Sequence, residues 1–214
     1  MLKRPRNQKA PRNPRKTRPD SRAVILEAAA IEFAARGFDG VRMEHVAQRA
    51  GYNKALVYRQ FGDKPGLFRE VLRYRVQRRD AMLDGLPPSL PDLLVWWSRQ
   101  QRAEPDFMRL ILREALEDRG EEPVEADARR AYYARQVAMV QALQSRGDLD
   151  ERLDPHMLFF ALLVVSVGPT HLPQIARLVC PAEEDTFTER WESFLRVLAE
   201  KLRPSVSVGG DASE

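Results

Sequence analysis

Apolar side chains recur along most of this chain at intervals of three and four residues, the spacing that places them on one face of a helix. The first such stripe runs from Ile25 to Phe33. Asp20 or Ser21 is placed to cap the start of this helix, and Gly37 is placed to close its end. No segment shows the convincing alternation of a half-buried strand. The pattern therefore predicts an all-α protein.

Two short helices and a tight turn follow this first helix. The first short helix is predicted over residues 44–50, and the turn covers residues 51–53. Asn53 is suited to cap the second short helix, which runs to Phe61, because its side chain can accept a backbone hydrogen bond. A fourth helix is predicted to begin at Asp63, another capping residue, followed by a proline in the first turn.

Further helical segments follow Leu83, separated by prolines and glycines. They comprise the stripes 93–97 and 107–115 and the longer ranges 123–145, 153–179 and 183–203. Gly168-Pro169 and Pro173 are expected to bend or break the segment 153–179. The chain is thus divided into a disordered basic arm (1–20), a small helical head (21–68), a larger helical body (69–203) and a disordered tail (204–214).

Composition excludes several classes of protein. Of the 214 residues, 43% are hydrophobic and 31% are charged, as in a folded globular chain. The single cysteine, Cys180, excludes an internal disulfide framework and fits a reducing cytoplasm. The longest apolar run, Met157–Val165, has nine residues, whereas a membrane span needs about 20. The basic N-terminus precedes no apolar stretch, so a secretory signal is not expected.

The charge is distributed unevenly along the chain. Residues 1–20 carry a net charge of +7 and residues 21–82 one of +5, whereas residues 83–214 carry −8. A cationic N-terminal third joined to an anionic remainder indicates that only the first part meets a polyanion. Charge alone leaves two candidates open, a nucleic acid and an acidic membrane surface.

The order of helix, short helix, glycine turn and short helix is the layout of a helix-turn-helix, here over about residues 42–61. Such a unit needs a small residue where its helices cross, provided by Ala47, and a glycine at the reversal, provided by Gly51. Val57 and Phe61 can anchor the second short helix in the core. The opposite face carries residue types that meet phosphates and base edges, namely Lys54, Ala55, Tyr58, Arg59 and Gln60.

At these residues the sequence resembles the tetracycline-repressor (TetR) family of bacterial regulators, from about Arg22 to Leu72. The residues that resemble the family pattern are Ala28-Ala29, Phe33, Gly37-Phe38, Val46-Ala47, Ala50-Gly51, Tyr58, Phe61, Lys64 and Leu67-Phe68. The resemblance implies a homodimer that places the third helix of each subunit in one major groove of a pseudo-palindromic operator.

The resemblance also implies roles for individual residues of the head. Lys54, Ala55 and Tyr58 would approach bases or nearby phosphates, and Lys64 would bind a phosphate. Gln60 stands where the family often has a phosphate-contacting histidine. Arg42 stands where the family often has a serine or threonine that caps the second helix. The predicted DNA-binding residues are Arg42, His45, Asn53, Lys54, Ala55, Tyr58, Arg59, Gln60 and Lys64.

In the body the resemblance implies a dimer interface and an effector pocket. The interface would be a four-helix bundle built from segments 153–179 and 183–203, with Leu162, Val165, Trp191, Phe194, Leu195 and Leu198. The middle helices would enclose the pocket, with Trp96, Trp97, Phe107, Met108, Ile111, Tyr132, Tyr133, Val137, Phe159, Phe160 and Leu163. Such a pocket suits a hydrophobic or aromatic small molecule. A plain core role is the alternative for each pocket residue.

Nothing in the sequence predicts catalysis. His45, His156 and His171 have no metal-ligating neighbour three or four residues away, and no Ser-His-Asp or Cys-His grouping can be argued. We therefore expect no catalytic residue, no metal and no cofactor. The Cys180 thiol is interpreted as buried or idle.

The leading hypothesis is a ligand-responsive dimeric repressor in the bacterial cytoplasm. Its expected partners are double-stranded operator DNA, a second copy of the chain and an unidentified small-molecule effector, with no membrane. One alternative is a helical small-molecule-binding protein or enzyme with incidental, non-specific DNA binding. Another is a membrane-surface adaptor that uses the basic arm.

Overall fold

The computed structural model describes residues 20–116, 120, 122–181 and 183–204. All but the last residue of the predicted arm and all but the first residue of the predicted tail lie outside these ranges. The described residues form α1 (Ser21–Gly40), α2 (Met43–Ala50), α3 (Lys54–Phe61), α4 (Lys64–Ala81), α5 (Leu90–Ala103), α6 (Asp106–Leu116), α7 (Ala126–Ser145), α8 (Pro155–His171), α9 (Pro173–Val179) and α10 (Glu184–Lys201). A short 3₁₀ turn, Met82–Gly85, follows α4. No strand occurs in this part of the chain, which confirms the all-α prediction.

The head is formed by α1 to α3 and the N-terminal part of α4. Asp20 caps α1 by accepting a hydrogen bond from the Arg22 amide at 3.0 Å. Gly37 adopts a positive φ of 70°, so the regular helix ends there, as predicted, and a short kinked turn continues to Gly40. Phe33 is fully buried at the centre of the head, where its ring packs edge-on against Phe68 at a centroid distance of 4.9 Å.

The turn between α2 and α3 follows the predicted geometry. Gly51 adopts the left-handed conformation (φ 73°, ψ 25°), which L side chains rarely adopt, and its amide donates to the Ala47 carbonyl. Asn53 caps α3 by accepting a hydrogen bond from the Leu56 amide at 2.8 Å. Val57 is fully buried. The orientation of α3 is thereby fixed at its start and along its inner face.

The body is built from α5 to α10 and has its own apolar core. Leu93, Leu149 and Leu195 are almost fully buried within it. Glu192 of α10 accepts charged hydrogen bonds from Arg99 at 2.6 Å and Arg102 at 2.7 Å on α5. These bonds, with the Arg99 bond as the largest cause, lower the pKa of Glu192 to about 2. The pair of helices α5 and α10 is therefore joined by both packing and charge.

Two body segments differ from their predicted bounds. The segment predicted over 153–179 consists of α8 and α9, which meet at an angle of 88°. The break falls at Leu172, directly before Pro173, because the residue before a proline is disfavoured in helical geometry. Pro169, by contrast, lies within α8. The helix predicted from residue 123 begins only at Ala126.

The head and the body are connected by α4 and α6. The N-terminal half of α4 packs in the core of the head, and its C-terminal half reaches the body through Val76 and Arg79. Arg113 of α6 donates hydrogen bonds to the carbonyl oxygens of Ala34 and Ala35 on α1, each at 2.8 Å. A continuous helix and a direct hydrogen-bonded contact therefore join the body to the head.

Candidate DNA-binding surface and effector cavity

The outward face of α3 carries four of the predicted DNA-binding side chains. Lys54, Ala55, Tyr58 and Arg59 are all exposed, whereas Val57 on the inner face is fully buried. Tyr58 leaves 41% of its surface open to solvent. A short helix that buries one face and projects cationic, hydroxyl and small side chains from the other has the form of a recognition helix.

Lys54 is engaged within this surface by a carboxylate of α2. Its ammonium forms an ion pair with Glu44 and lies 5.4 Å from the centre of the Tyr58 ring. The hydrogen bond between the two side chains lowers the pKa of Glu44 and raises that of Lys54. Because both side chains are about half exposed, solvent screens this pair, and a phosphate can compete for the lysine.

Arg42 and Lys64 flank α3 at the two ends of the motif. Arg42 is exposed and makes no side-chain cap on α2, so the capping role that the family often gives to this position is absent. Lys64 lies at the start of α4, with its ammonium 4.7 Å from the centre of the Phe38 ring and 3.3 Å from the Asp39 carbonyl oxygen. Arg42 is exposed and Lys64 is partly exposed.

Three other predicted residues are engaged within the head. Asn53 is exposed, but its side-chain oxygen caps α3. Gln60 is partly buried and donates to the Ser21 hydroxyl of α1 at 3.0 Å. His45 is half-buried, and its Nδ1 has no hydrogen-bond partner among the described residues. Asn53 and Gln60 therefore support the position of α3, whereas His45 makes no such hydrogen bond through Nδ1.

The body contains a small internal cavity lined largely by predicted pocket residues. Eight of them form its wall, namely Trp96, Trp97, Phe107, Met108, Tyr132, Tyr133, Phe159 and Leu163. The volume open to the centre of a water molecule is about 20 Å³, enough for roughly one or two waters. A larger molecule can enter only if side chains or helices of the wall move apart.

Three predicted pocket residues lie elsewhere. Ile111 packs where the head meets α6, and Val137 is buried in the main core of the body. Phe160 leaves 62% of its surface open to solvent on the outside of α8. Periodicity places Phe159 and Phe160 in the same apolar helix, but adjacent residues point about 100° apart, so only Phe159 reaches the cavity.

The cavity wall also contains polar residues that sequence reasoning missed. Arg79, Gln101 and Gln136 are all more than 90% buried and line the cavity. The available signal was the continuation of the buried stripe of α4 through Val71, Val76 and Arg79 at spacings of five and three. An arginine on the apolar face of a helix is uncommon unless it has a partner or a ligand.

Apolar side chains are exposed along one face of α8 and on α10. Met157, Phe160 and Val164 occur at helical spacing on α8 and are 66%, 62% and 51% exposed. Phe194 and Val197 of α10 are each about half exposed. Large exposed apolar side chains clustered at helical spacing on a folded chain are typical of an interaction site.

Of the six predicted interface residues, two are corrected by the structure. Leu162 is 3% exposed and Leu195 is fully buried within the single chain, so neither can contribute surface to an interface. Val165, Trp191 and Leu198 are partly exposed, and Phe194 is exposed. Periodicity placed all six residues on helices, but it cannot distinguish the face of a helix that packs inward from the face that stays exposed.

No group of three or more metal-ligating side chains is found in the described part of the chain. Of the helices in the same ranges, none is long and apolar enough to cross a membrane by itself. Only α8 and α9 taken together reach that length and hydropathy, and they are sharply bent.

A helix-turn-helix head with an exposed cationic recognition helix, joined to a helical body, defines a DNA-binding protein of the one-component regulator type. Residues 25–71 match the family model described as bacterial regulatory proteins of the tetR family. Residues 90–200 match the model described as the tetracyclin repressor-like C-terminal domain. The chain belongs to the TetR family of DNA-binding transcriptional regulators.

Individual relatives agree with this assignment. The HTH-type transcriptional repressor SCO4008 of Streptomyces coelicolor is 34% identical over 166 residues, which cover 74% of this chain and 83% of the relative. The solved transcriptional regulator SCO4942, also from S. coelicolor, has a TM-score of 0.70 and 26% identity, and the match covers 86% of this chain and 99% of that one. A regulator from Saccharomonospora viridis, solved in complex with choline, shares the fold with a TM-score of 0.61 and 21% identity over 87% of this chain and 98% of that one.

Proposed function

We propose that this regulator is a dimeric repressor that binds a pseudo-palindromic operator and is released from it by a small molecule in the body cavity. The observation that carries the DNA-binding part is the exposed face of α3, with Lys54, Tyr58 and Arg59 turned outward on a helix whose inner face is locked in the core. We assign DNA binding to residues 21–68 and effector binding and dimerisation to residues 69–203.

The exposed residues are proposed to contact different parts of the DNA. Tyr58 and Ala55, at the middle of the exposed face, are proposed to approach base edges, where a hydroxyl or a methyl group can discriminate. Arg42, Arg59 and Lys64 are proposed to bind phosphates, which fix register without reading sequence. The remaining proposed contacts are Lys54, His45, Asn53 and Gln60. Before they can contact DNA, the side chains of Lys54, Asn53 and Gln60 have to leave their partners within the head, and the half-buried His45 has to move outward.

Dimerisation follows from the unpartnered apolar face of the body. The exposed stripe of α8 (Met157, Phe160 and Val164) and the exposed residues of α10 (Phe194 and Val197) form the proposed dimer surface. Pairing this surface with that of a second copy about a two-fold axis gives a bundle of four helices. A two-fold dimer presents two copies of α3, which suits two half-sites about one DNA turn apart.

Effector release is proposed to act through α4. The cavity is lined by Arg79 and Met82 at the C-terminal end of this helix and just after it, whereas Lys64 and Leu67 at its other end belong to the head. Because the cavity is too small for an organic ligand, binding must favour a wider arrangement of its walls. A ligand releases DNA only to the extent that it prefers this arrangement. The choline-bound relative supports a small-molecule effector without identifying one for this chain.

The test is selection of bound duplexes from a random DNA pool with the full-length protein at near-physiological salt. We expect a pseudo-palindromic motif. With this motif as a probe, Tyr58→Ala should weaken specific binding by roughly 10- to 100-fold, the range of a lost base contact. Its affinity for unrelated duplex should change far less.

Two results would contradict the proposal. Binding without any recovered motif, which vanishes as salt rises, would leave a cationic surface that holds any polyanion. An equal loss of specific and non-specific affinity in Tyr58→Ala would remove Tyr58 from the base-reading surface. Arg177→Ala, an exposed cation of α9 in the body, serves as the matched control and should leave both affinities unchanged.

A further inference from the structure

The wall of the effector cavity contains a buried cation that forms no ion pair within the described part of the chain. Arg79 is only 9% exposed and lines the cavity. One of its terminal nitrogens donates to the backbone carbonyl oxygen of Glu104 at 3.0 Å, and its guanidinium lies 4.8 Å from the centre of the Phe107 ring. Its Nε has no hydrogen-bond partner among the described residues. Burial lowers the pKa of Arg79.

The carboxylates near Arg79 form ion pairs with two neighbouring arginines. Glu27 is paired with Arg75 at 2.7 Å and with Arg78 at 2.5 Å. Glu104 is paired with Arg78 at 2.7 Å and with Arg75 at 3.8 Å. Two carboxylates are therefore shared by these two arginines. Within the described part of the chain, no carboxylate lies within ion-pairing distance of Arg79.

Two titratable groups on other helices lie near Arg79. His171 at the end of α8 is half-buried, and its pKa is lowered by burial and then by the charges of Arg109 and Arg79. Tyr132, which faces Arg79 from α7, has its pKa raised mainly by burial and is therefore neutral at physiological pH. His171 and Tyr132 thus supply no anion. The charge of Glu104, a carboxylate already paired with Arg75 and Arg78, only partly offsets the burial that lowers the pKa of Arg79.

A second donor in the wall is also unsatisfied. The indole Nε1 of Trp97 is buried without a hydrogen-bond partner among the described residues. The cavity has room for a water molecule that accepts a hydrogen bond from one of these donors. Water would not neutralise the charge, however, and a buried uncompensated cation is unfavourable. Both the charge and the donors are satisfied by an anionic acceptor.

We propose that the effector of this cavity is an organic acid whose carboxylate pairs with Arg79 and accepts from Trp97, and whose apolar body lies among the aromatic side chains of the wall. This inference rests on the proposed effector function of the cavity. The planar carboxylate matches the fork of donors on a guanidinium. Trp96, Tyr133 and Phe159 supply the apolar surface for the rest of the molecule. A cationic ligand would be repelled by Arg79.

The test uses sets of three ligands that share one apolar body and differ in one group. Suitable sets are 3-phenylpropionate, 3-phenylpropanamide and 3-phenylpropylamine, with the corresponding sets built on benzoate and decanoate. Binding to the full-length protein is measured without DNA, by calorimetry and by tryptophan fluorescence. We expect at least one carboxylate to bind about 10- to 100-fold more tightly than its amide, as for a hydrogen-bonded charge pair, and the amine to bind least.

Variants show whether Arg79 carries this preference. Arg79→Met keeps a long apolar side chain and should reduce the preference for carboxylate over amide to less than about threefold. Arg109→Met removes an equal charge from an exposed position of α6 beside His171 and should keep the preference. The proposal is overturned if the amide or the amine binds as tightly as the acid, if no acid in the sets binds, or if the preference persists in Arg79→Met.

The titration of His171 gives a readout that needs no variant. A carboxylate bound at Arg79 neutralises one of the charges that lower this pKa, so the pKa of His171, followed by NMR, should rise on binding. An acid that binds without moving it occupies another site, and the proposal fails. Because these measurements omit DNA, they are independent of the proposed function. Acid binding that does not release a selected operator would refute ligand release while leaving the acid site intact.

Discussion

The head and the body both bury charged side chains, but they treat them differently. In the head, Glu32 of α1 is 3% exposed and is paired with two arginines, Arg36 at 2.9 Å and Arg49 at 2.6 Å. In the body, Arg79 is almost as deeply buried and contacts a carbonyl and an aromatic ring instead of a carboxylate. The head pairs its buried Glu32 internally, and the body does the same for Arg129, which is paired with Glu114. Arg79 alone among these three forms no ion pair within the described residues.

This difference fits what each region has to do. The Glu32–Arg49 pair connects α1 to α2 and therefore helps to fix the helix-turn-helix in one geometry. A DNA-reading head needs that rigidity, because recognition depends on the placement of α3. In the proposed function the body responds to a ligand, and a buried cation without an ion pair beside the cavity favours the binding of an acid. A region that responds to a ligand requires two states of similar free energy.

The surfaces of the two regions differ as well. The exposed face of the head is polar and cationic around α3, where Lys54 and Arg59 are turned outward. The exposed face of the body on α8 and α10 is apolar, with Phe160 and Val164 more than half exposed. The first suits a polyanion and the second suits a second copy of the chain. This comparison between the head and the body can be tested at their buried charges and at their exposed surfaces.

The largest effect is expected from a charge placed in the dimer surface. Phe160→Asp should produce a monomer, because an unpaired carboxylate buried between two subunits is strongly unfavourable. A monomer contacts one half-site only, so operator affinity should fall by more than about 100-fold, given the loss of bivalent binding. Analytical ultracentrifugation gives the mass, and fluorescence anisotropy with the selected operator gives the affinity.

A matched variant separates loss of dimerisation from general damage. Leu112→Asp introduces the same charge at an exposed apolar residue of α6, a helix that packs against α1 rather than within the dimer surface. It should remain a dimer with unchanged operator affinity. A dimeric Phe160→Asp protein with full affinity would show that the apolar face of the body has another partner.

A smaller effect, on stability, is expected from the buried charge of the head. Glu32→Gln removes the charge that Arg36 and Arg49 share and should lower the free energy of unfolding by about 1–3 kcal/mol. Loss of one partner from a buried pair costs more, but both arginines are half exposed, so solvent screens part of the loss. Urea unfolding at a fixed protein concentration measures the change.

The control for this stability effect is an ion pair at the surface. Asp84 pairs with Arg135 at 2.7 Å and is 79% exposed, and exposed pairs of this kind contribute about 0–1 kcal/mol. Asp84→Asn should therefore change the free energy of unfolding by less than Glu32→Gln does. Equal losses in the two variants would mean that the head does not depend on its buried charge, and the contrast with Arg79 would disappear.

Prediction from the sequence was most successful in the head, because its signals are local. Gly51 and Asn53 set the turn and the start of α3 through their own backbone and side-chain chemistry. Gly37 ended the regular part of α1 for the same reason. Such capping and turn residues act within a few positions of the chain, so their spacing is sufficient to place the helices.

The body was predicted less completely, because its site depends on contacts between distant helices. Hydrophobic spacing placed most of the cavity residues on helices, but it could not show that Leu195 packs within the subunit while Phe194 faces outward. It marked Arg79 only as a cation on the buried stripe of α4, whereas the importance of Arg79 lies in which carboxylates its neighbours already occupy. These carboxylates, Glu27 and Glu104, lie on α1 and just after α5. Their pairing with the arginines of α4 is therefore visible only in the folded protein.

The smallest effect is expected at the ion pair on the DNA surface. Glu44→Gln should raise the affinity for unrelated duplex by roughly two- to fivefold, because it releases Lys54 and removes a charge that phosphates repel. The log–log slope of affinity against salt should become steeper by about 0.9, the value for one additional phosphate contact. Glu151→Gln makes the same change of charge at an exposed loop position of the body and should alter neither quantity. Equal changes in the two variants would mean that the effect depends only on the net charge of the protein. A change confined to Glu44→Gln would show that the Glu44–Lys54 ion pair limits the affinity of the head for non-operator DNA.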